Sequence, residues 1–512
     1  MYKGEKMNWK KIKQSSYMLM MVIIISKLIG MLRDIVLAKY YGTSNISDAY
    51  LIASSVPVLL FYFIGHSLST AYIPMYNKVK YEKGEESAIK YSNNLLNVSL
   101  IISTIIFFVL IFSPNIVIKI FANGFDFNTS NIASKLIRIS SISIYFMTII
   151  HICGGYLQAN NSFLAPAAIS LPRNMIIIAS IILSASFGID ILGLGLLLAY
   201  VLEFIFLLPF TVKEGYKYKW RLDFHDENLK ETLYIVMPIL LGTCVSQINK
   251  IIDKSIASTV IVGGVSALSY ASIINNAIQE VLVTGIITIL FSNCAQLVAQ
   301  NKHKLVSEKL SSTIKVIIFF LIPASVGVII FAEQIVRLIL CRGNFDVNSI
   351  KITTGALRSY TIGLLFLAIR DTLVKVFYAY KETKITTVTS MIAILINIIL
   401  NIILSKFMGI NGLALATSIS AMFHCITLYI ILHKKIGDFG HKSNINTLIK
   451  CCISSIIMGV IAICIYNKFK LLFGNLGSFI ISILISVIVY FITTYILGCN
   501  FLINLLKKDK HK

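Results

Sequence analysis

Apolar runs of about twenty residues recur from one end of this chain to the other. TSMIAILINIILNIILSKF is one. That length matches the hydrocarbon core of a bilayer, where the backbone must satisfy its own hydrogen bonds. Only helices and closed barrels manage this, and the runs are continuous rather than alternating, which excludes a barrel. Composition agrees: 57% of 512 residues are hydrophobic and 13% charged, and the mean hydropathy is +0.82. The expected fold is an all-α polytopic membrane protein. Fourteen spans are expected, at 15–38, 49–74, 94–120, 133–157, 163–187, 190–212, 232–258, 266–298, 312–340, 353–379, 385–405, 411–433, 447–466 and 476–498.

The net charge of +23 suggests nucleic acid at first sight. Its placement argues otherwise, because Lys and Arg concentrate in alternate loops, as the positive-inside rule describes. Nucleic acid is therefore not an expected partner. That bias places both termini in the cytoplasm as an expectation, and this in turn requires an even number of spans. The first apolar run lacks a small-residue cleavage site and reads as a membrane helix, not a signal peptide. The nine cysteines are scattered through apolar segments. Packing explains them, and neither a disulfide nor a metal site is expected.

The chain repeats itself. GFDFNTSNIASKLIR at 124–138 resembles NFDVNSIKITTGALR at 344–358. Phe125, Asp126 and Arg138 pair with Phe345, Asp346 and Arg358 at one offset of 220 positions. Near that offset Tyr50 falls over Tyr270 and Asp34 near Asp253. Six spans separate the repeat starts, so both halves insert with the same orientation. The expected organisation is a cytoplasmic segment 1–14, an N-lobe 15–212 and a cytoplasmic linker 213–231. A C-lobe 232–433, two extra helices at 447–498 and a cytoplasmic tail 499–512 follow. Two parallel six-helix repeats forming lobes around a central cavity is a transporter architecture, with substrate held near midplane.

Charge inside the spans marks the candidate site. A charged residue at the bilayer centre costs about 2.5–3.5 kcal/mol on insertion scales, so it needs a reason. Lys27, Gly30 and Asp34 share a helical face at i, i+3 and i+7, with Arg33 beside it. Gly30 permits close approach of a backbone or ligand. Lys250, Asp253 and Lys254 occupy the equivalent place in the seventh span, and Arg370, Asp371 and Lys375 lie in the tenth. Single ionisable residues stand at His66, Arg138, His151, Glu203, Glu280 and Arg358. The functional reading is a cation-lined cavity for an anionic substrate, Arg binding phosphate by its fork and Lys as a point charge. The alternative is structural pairing between helices or snorkelling near helix ends. Asp371 and Lys375, at i, i+4, read as a local salt bridge. Asn397 and Asn401 share a face of the eleventh span, as interhelical glue or as cation ligands.

No GxxxxGK[ST] loop is present, so the chain carries no ATPase of its own, and no nucleophile–base set points to an enzyme. Transport has to draw on an ion gradient, the membrane potential or substrate flux.

The stretch SKLIGMLRDIVLAKYYGTSNISDAYLIASSVP, with Ala71-Tyr-Ile-Pro74, resembles the first two helices of the MurJ/MviN lipid II flippase family. Asp253-Lys-Ser-Ile-Ala-Ser, Gly264-Val-Ser-Ala-Leu-Ser-Tyr-Ala, Arg342-Gly-Asn-Phe-Asp346 and Phe377-Tyr-Ala-Tyr-Lys-Glu-Thr-Lys384 are similar to later family motifs. The resemblance implies the fold of the multidrug/oligosaccharidyl-lipid/polysaccharide exporter superfamily. It implies flipping of an undecaprenyl-pyrophosphate-linked sugar, lipid II, across the bacterial plasma membrane for peptidoglycan synthesis, cell-wall biogenesis and cell shape. The diphosphate would contact Lys27, Gly30, Arg33, Asp34, Asp48, Lys250, Lys254 and Arg370, and the lipid tail would follow a groove near the last two helices. A sodium ion, the one expected cofactor, would fall on Asp253, Asn397, Asn401 and Thr417. The chain departs from the family pattern at Lys27, Phe61, Tyr62 and Ile273, where the family has arginine, and at Asn401, where it has an acid. Membrane lipid and cell-wall synthesis enzymes are the expected partners, and the chain is expected to act as a monomer.

The competing expectations are a flippase for another polyprenyl-linked oligosaccharide, a cation-coupled multidrug exporter of the same superfamily, and a non-transporting scaffold. An exporter of cationic drugs calls for an acidic cavity, which the bases of the first and seventh spans oppose.

Overall fold

The computed structural model describes residues 9–499. The expected segments 1–14 and 499–512 therefore fall largely outside the described residues, as does the side chain of His66. Among the described residues the chain is helical without strands. It forms two compact units, Met1–Gly263 with Arg342–Phe345, and Gly264–Cys341 with Asp346–Lys512.

The first unit contains α1 (Trp9–Tyr41), α2 (Asn45–Lys83), α3 (Glu85–Phe112), α4 (Pro114–Phe121), α5 (Phe127–Ser140), α6 (Ser143–Ala159), α7 (Leu164–Ala168), α8 (Ser170–Phe187), α9 (Asp190–Lys213) and α10 (Glu227–Val260). The second contains α11 (Gly264–Gln279), a π turn (Glu280–Thr284), α12 (Gly285–Ala299), α13 (His303–Leu340), α14 (Val347–Ile362), α15 (Leu364–Ala379), α16 (Thr383–Met408), α17 (Ile410–Ile436) and α18 (His441–Ile496). The repeat pattern groups the helix α10 with the later half of the sequence; in the structure it packs on α2 within the first unit.

Nine helices among the described residues are long and apolar enough to cross a bilayer, ten if the bent pair α5 and α6 is one span. This does not establish fourteen crossings. Part of the difference lies in α18. Unbroken, its 56 residues would extend about 84 Å at 1.5 Å per residue, far beyond one hydrocarbon thickness. It is broken at Gly474, whose φ of 65° suits glycine, and the two last expected spans lie on either side.

The repeat read from the sequence is built into the backbone. Asp126 caps α5 by accepting from the Thr129 N–H at 3.1 Å, and Asp346 caps α14 by accepting from the Ser349 N–H at 2.7 Å. Arg138 Nε donates to the Ile111 carbonyl at 3.3 Å, and Arg358 Nε to the Ile329 carbonyl at 3.1 Å. Each arginine ties its short helix to the long helix preceding it.

Two features hold the first unit closed. A tyrosine cluster, Tyr72, Tyr76, Tyr91, Tyr156 and Tyr216, is buried where α2, α3 and α6 meet the linker. Beside it three carboxamides of α3 grip the linker backbone. Asn93 donates to the Lys217 carbonyl, Asn97 to the Arg221 carbonyl, and Asn94 both donates to and accepts from Asp223. The N-N-L-L-N pattern is thus a lock for the segment 213–231, a role the sequence reading did not assign. The Arg342–Phe345 segment does similar work at the end of α1, where the Asn344 side chain donates to the Tyr40 carbonyl at 2.6 Å. Gly343, with φ of 59°, leaves room for the Lys39 carbonyl where a Cβ would collide. In the second unit α13, α15, α17 and α18 share one large apolar core.

Candidate functional site

The richest ionic cluster among the described residues of the first unit lies on α1, α8 and α9. Arg33 grips its neighbour Asp34 through Nε at 3.0 Å and Nη2 at 2.9 Å. Its Nη1 donates to Asn174 Oδ1 of α8 at 3.2 Å. Asn174 Nδ2 donates to the Ser170 carbonyl one turn earlier, which turns its oxygen toward Arg33. A Cβ at Gly30 would meet Asn174 Nδ2 at 3.7 Å, an ordinary contact, so the approach of α8 does not depend on glycine there. The residue before Asn174 begins a second pair: Arg173 Nη1 lies 3.3 Å from Glu203 Oε1 on α9, with its guanidinium over the Tyr200 ring.

Exposure is asymmetric in both pairs. The arginine side chains are 31% and 32% exposed, whereas Asp34 and Glu203 are 10% and 2%. In each pair the acid is buried more deeply than its part-exposed guanidinium. A buried carboxylate costs several kcal/mol without a partner, so each acid fixes its arginine in place. This geometry offers planar, pre-oriented donors to an oxyanion.

The other sequence candidates are distributed as follows. Lys27 is exposed on α1, nearly two turns before Arg33. Asp48 is buried near the start of α2 and accepts from the Gly263 N–H at 2.8 Å, fastening the end of the unit. Lys250 is exposed on α10; Lys254 is half-buried and donates to the Leu51 carbonyl at 3.5 Å. Asp253 accepts from Asn249 Nδ2 at 3.4 Å. These residues all belong to the first unit, as does the Arg33 cluster.

In the second unit Arg370 pairs with Asp371 through Nη2 at 2.6 Å, and Gln279 Nε2 donates to the other carboxylate oxygen at 2.8 Å. The expected salt bridge of Asp371 with Lys375 is not the arrangement found. The adjacent guanidinium fork and Gln279 take the carboxylate, while Lys375 lies over the rings of Phe291 and Tyr378. Asn401 Nδ2 donates to Asn397 Oδ1 at 2.9 Å, and Asn397 Nδ2 reaches Ser420 Oγ of α17 at 3.4 Å. Thr417 Oγ1 donates to the Leu413 carbonyl.

Sequence reasoning missed Arg173 and Asn174. An arginine inside the apolar run SLPRNMIII is itself a signal of an interior partner. Glu203 was named without one. Asn174 carries no such flag, because a carboxamide gains its meaning only from the helix opposite.

The family model described as "Lipid II flippase MurJ" matches residues 37–506. A relative from Thermosipho africanus, named "Lipid II flippase MurJ", is 30% identical over 93% of this chain and 95% of its own length. The solved structure titled "Lipid II flippase MurJ, inward closed conformation" is 29% identical, superposes with a TM-score of 0.82, and covers 94% of this chain and 99% of that one. An inward-facing multidrug transporter of the MATE family, in the MOP superfamily, shares the fold at 14% identity, with a TM-score of 0.71 over 83% of this chain and 99% of its own. With its helical architecture, its charged interior pairs and a match over nearly its whole length, this chain belongs to the MurJ family of lipid II flippases.

Proposed function

We propose that this multi-pass protein of the bacterial plasma membrane flips lipid II, the undecaprenyl-pyrophosphate-linked peptidoglycan precursor, by alternating access. The observation that carries the reading is the pair of part-exposed arginines, Arg33 and Arg173, each seated on a buried acid within one unit. A diphosphate presents several anionic oxygens, and two guanidinium forks match them with directed, charge-assisted bonds. Asp34 and Glu203 keep the forks oriented while no substrate is bound. Lys27, Lys250 and Lys254 add positive charge within the same unit. Gly30 lies on the same helix, and Asp48 acts by fastening the start of α2 to Gly263. The second unit by itself carries an apolar cavity of about 450 Å³, lined by α13 and α18 and including Phe319, Phe331, Met458 and Phe479.

Sodium is the proposed coupling ion, with Asn397, Asn401 and Thr417 as donors. They offer only oxygen to a hard cation, and both carboxamides are buried. Asn397→Ala is expected to remove sodium dependence from flipping; undiminished dependence would exclude this assignment. The chain is proposed to act as a monomer beside cell-wall synthesis enzymes with both ends in the cytoplasm. Reporter fusions at the two ends test the orientation.

The decisive experiment for function is complementation of a flippase-depleted bacterium. The wild-type chain is expected to restore growth and move lipid II to the outer leaflet. Restoration of growth with lipid II still confined to the inner leaflet would refute the proposal.

A further inference from the structure

The second unit carries another cavity, of about 460 Å³, near the stretch of α18 that precedes its break at Gly474. It shares Ile330 and Phe331 with the apolar cavity, so the two are neighbours. Its lining is different in kind: Arg358, Gln334, Tyr466 and Asn467 contribute polar groups. Arg358 is exposed, and its Nε is fixed by the Ile329 carbonyl at 3.1 Å. That bond uses one N–H and leaves the two terminal amino groups of the fork for a ligand. The neighbouring acid on α13, Glu333, is engaged by Arg337 at 2.8 Å. Lys470 lies over the Tyr466 ring at 5.9 Å, adding a second cation at the rim. Gln334 Oε1 is buried and meets no hydrogen-bond donor among the described residues. A buried acceptor in that state is completed by a water or by a ligand's donor.

A cationic, hydrogen-bonding mouth on an apolar trough matches an amphiphile with an anionic head and a hydrocarbon chain. We infer that this mouth is a second lipid site, in which Arg358 and Gln334 hold the monoprotonated phosphate head of a membrane lipid whose chain lies against Ile330 and Phe331. Arg358 supplies N–H donors to two phosphate oxygens, and the phosphate hydroxyl donates to Gln334 Oε1. The site goes beyond the proposed function, which places the diphosphate on α1, α8 and α9.

The repeat supplies an internal control. Arg138 makes the same bond to a long-helix carbonyl as Arg358 does, so a substitution at either position removes the same structural tie. The test uses the full chain in lipid nanodiscs with a photoreactive polyprenyl phosphate, and with the matching polyprenyl alcohol. Adducts are located by peptide mapping of 329–335 and 463–467. The measurement is made in the Arg33→Ala background, which separates this site from the α1 cluster and reads binding without transport. The phosphate lipid is expected to label these segments about tenfold more than the alcohol, the factor set by a charge-assisted contact. Arg358→Gln is expected to abolish that preference and Arg138→Gln to keep it. Gln334→Leu, which leaves the Arg358 tie in place, is expected to reduce labelling by a smaller factor. Equal labelling by alcohol and phosphate, equal effects of Arg358→Gln and Arg138→Gln, or full displacement by inorganic phosphate would each overturn the site. Loss of flipping in cells with this labelling pattern intact would count against the proposed function alone.

Discussion

The two units solve the same structural problem in the same way and then differ in their interior chemistry. Asp126 and Asp346 cap equivalent helices, and Arg138 and Arg358 make equivalent bonds to a long-helix carbonyl. Inside, the first unit carries two arginines on buried acids, linked through adjacent residues of α8. The second buries a neutral set, Asn397, Asn401, Thr389 and His424, and keeps one adjacent Arg–Asp pair. What the fold requires of each half is duplicated, and so is an adjacent Arg–Asp pair; the pair of Arg173 with the buried Glu203 is particular to the first.

The largest expected effect breaks this asymmetry directly. Arg173→Ala strands Glu203 in an almost fully buried position and should cost about 3–5 kcal/mol of stability, read as a lowered thermal midpoint in detergent. The double variant Arg173→Met with Glu203→Leu should recover most of that stability while leaving flipping defective. Recovery of both would make the pair structural. In the second unit, Asn397→Leu should cost less, about 1–3 kcal/mol, because it orphans a neutral amide and no charge.

Smaller effects sharpen the comparison. Asn94→Ala removes both bonds to Asp223 and should cost about 1–3 kcal/mol, with faster proteolysis within 213–231 as its signature. Asp126→Ala and Asp346→Ala should each cost about 1 kcal/mol and match each other closely; unequal losses would mean that the repeat is not energetically symmetric. These caps also set a pH dependence. Hydrogen bonds from Thr129 hold the Asp126 carboxyl below its usual range, and those from Ser349 do the same for Asp346. A depressed carboxylate contributes fully above its unfolded pKa, about 3.9. The contribution should therefore fade only as pH falls below about 4, and the difference between wild type and either alanine variant should vanish there.

Much of this architecture was legible in the sequence, and the reasons are local. Span lengths follow from bilayer thickness, and the repeat follows from the fixed distance between capping aspartate and arginine in GFDFNTSNIASKLIR and NFDVNSIKITTGALR. Arg33 and Asp34 are adjacent, so their pairing needed no knowledge of the fold. Partners across helices were not readable. Asn174 turns toward Arg33 only because α8 packs on α1, and Gln279 takes the Asp371 oxygen that helical spacing gave to Lys375. The linker lock escaped notice because three asparagines in an apolar helix carry no charge to mark them. The packing of α10 within the first unit is likewise set by contacts that no repeat offset records.

The central claim is that the part-exposed arginines of the first unit grip the diphosphate. The most direct measurement is the leaflet distribution of lipid II in depleted cells carrying Arg33→Ala, with Arg138→Ala alongside as an arginine outside the cluster. Lipid II should stay on the cytoplasmic leaflet with Arg33→Ala at normal protein levels, and move outward with Arg138→Ala. Outward movement at the wild-type rate with Arg33→Ala would contradict the account.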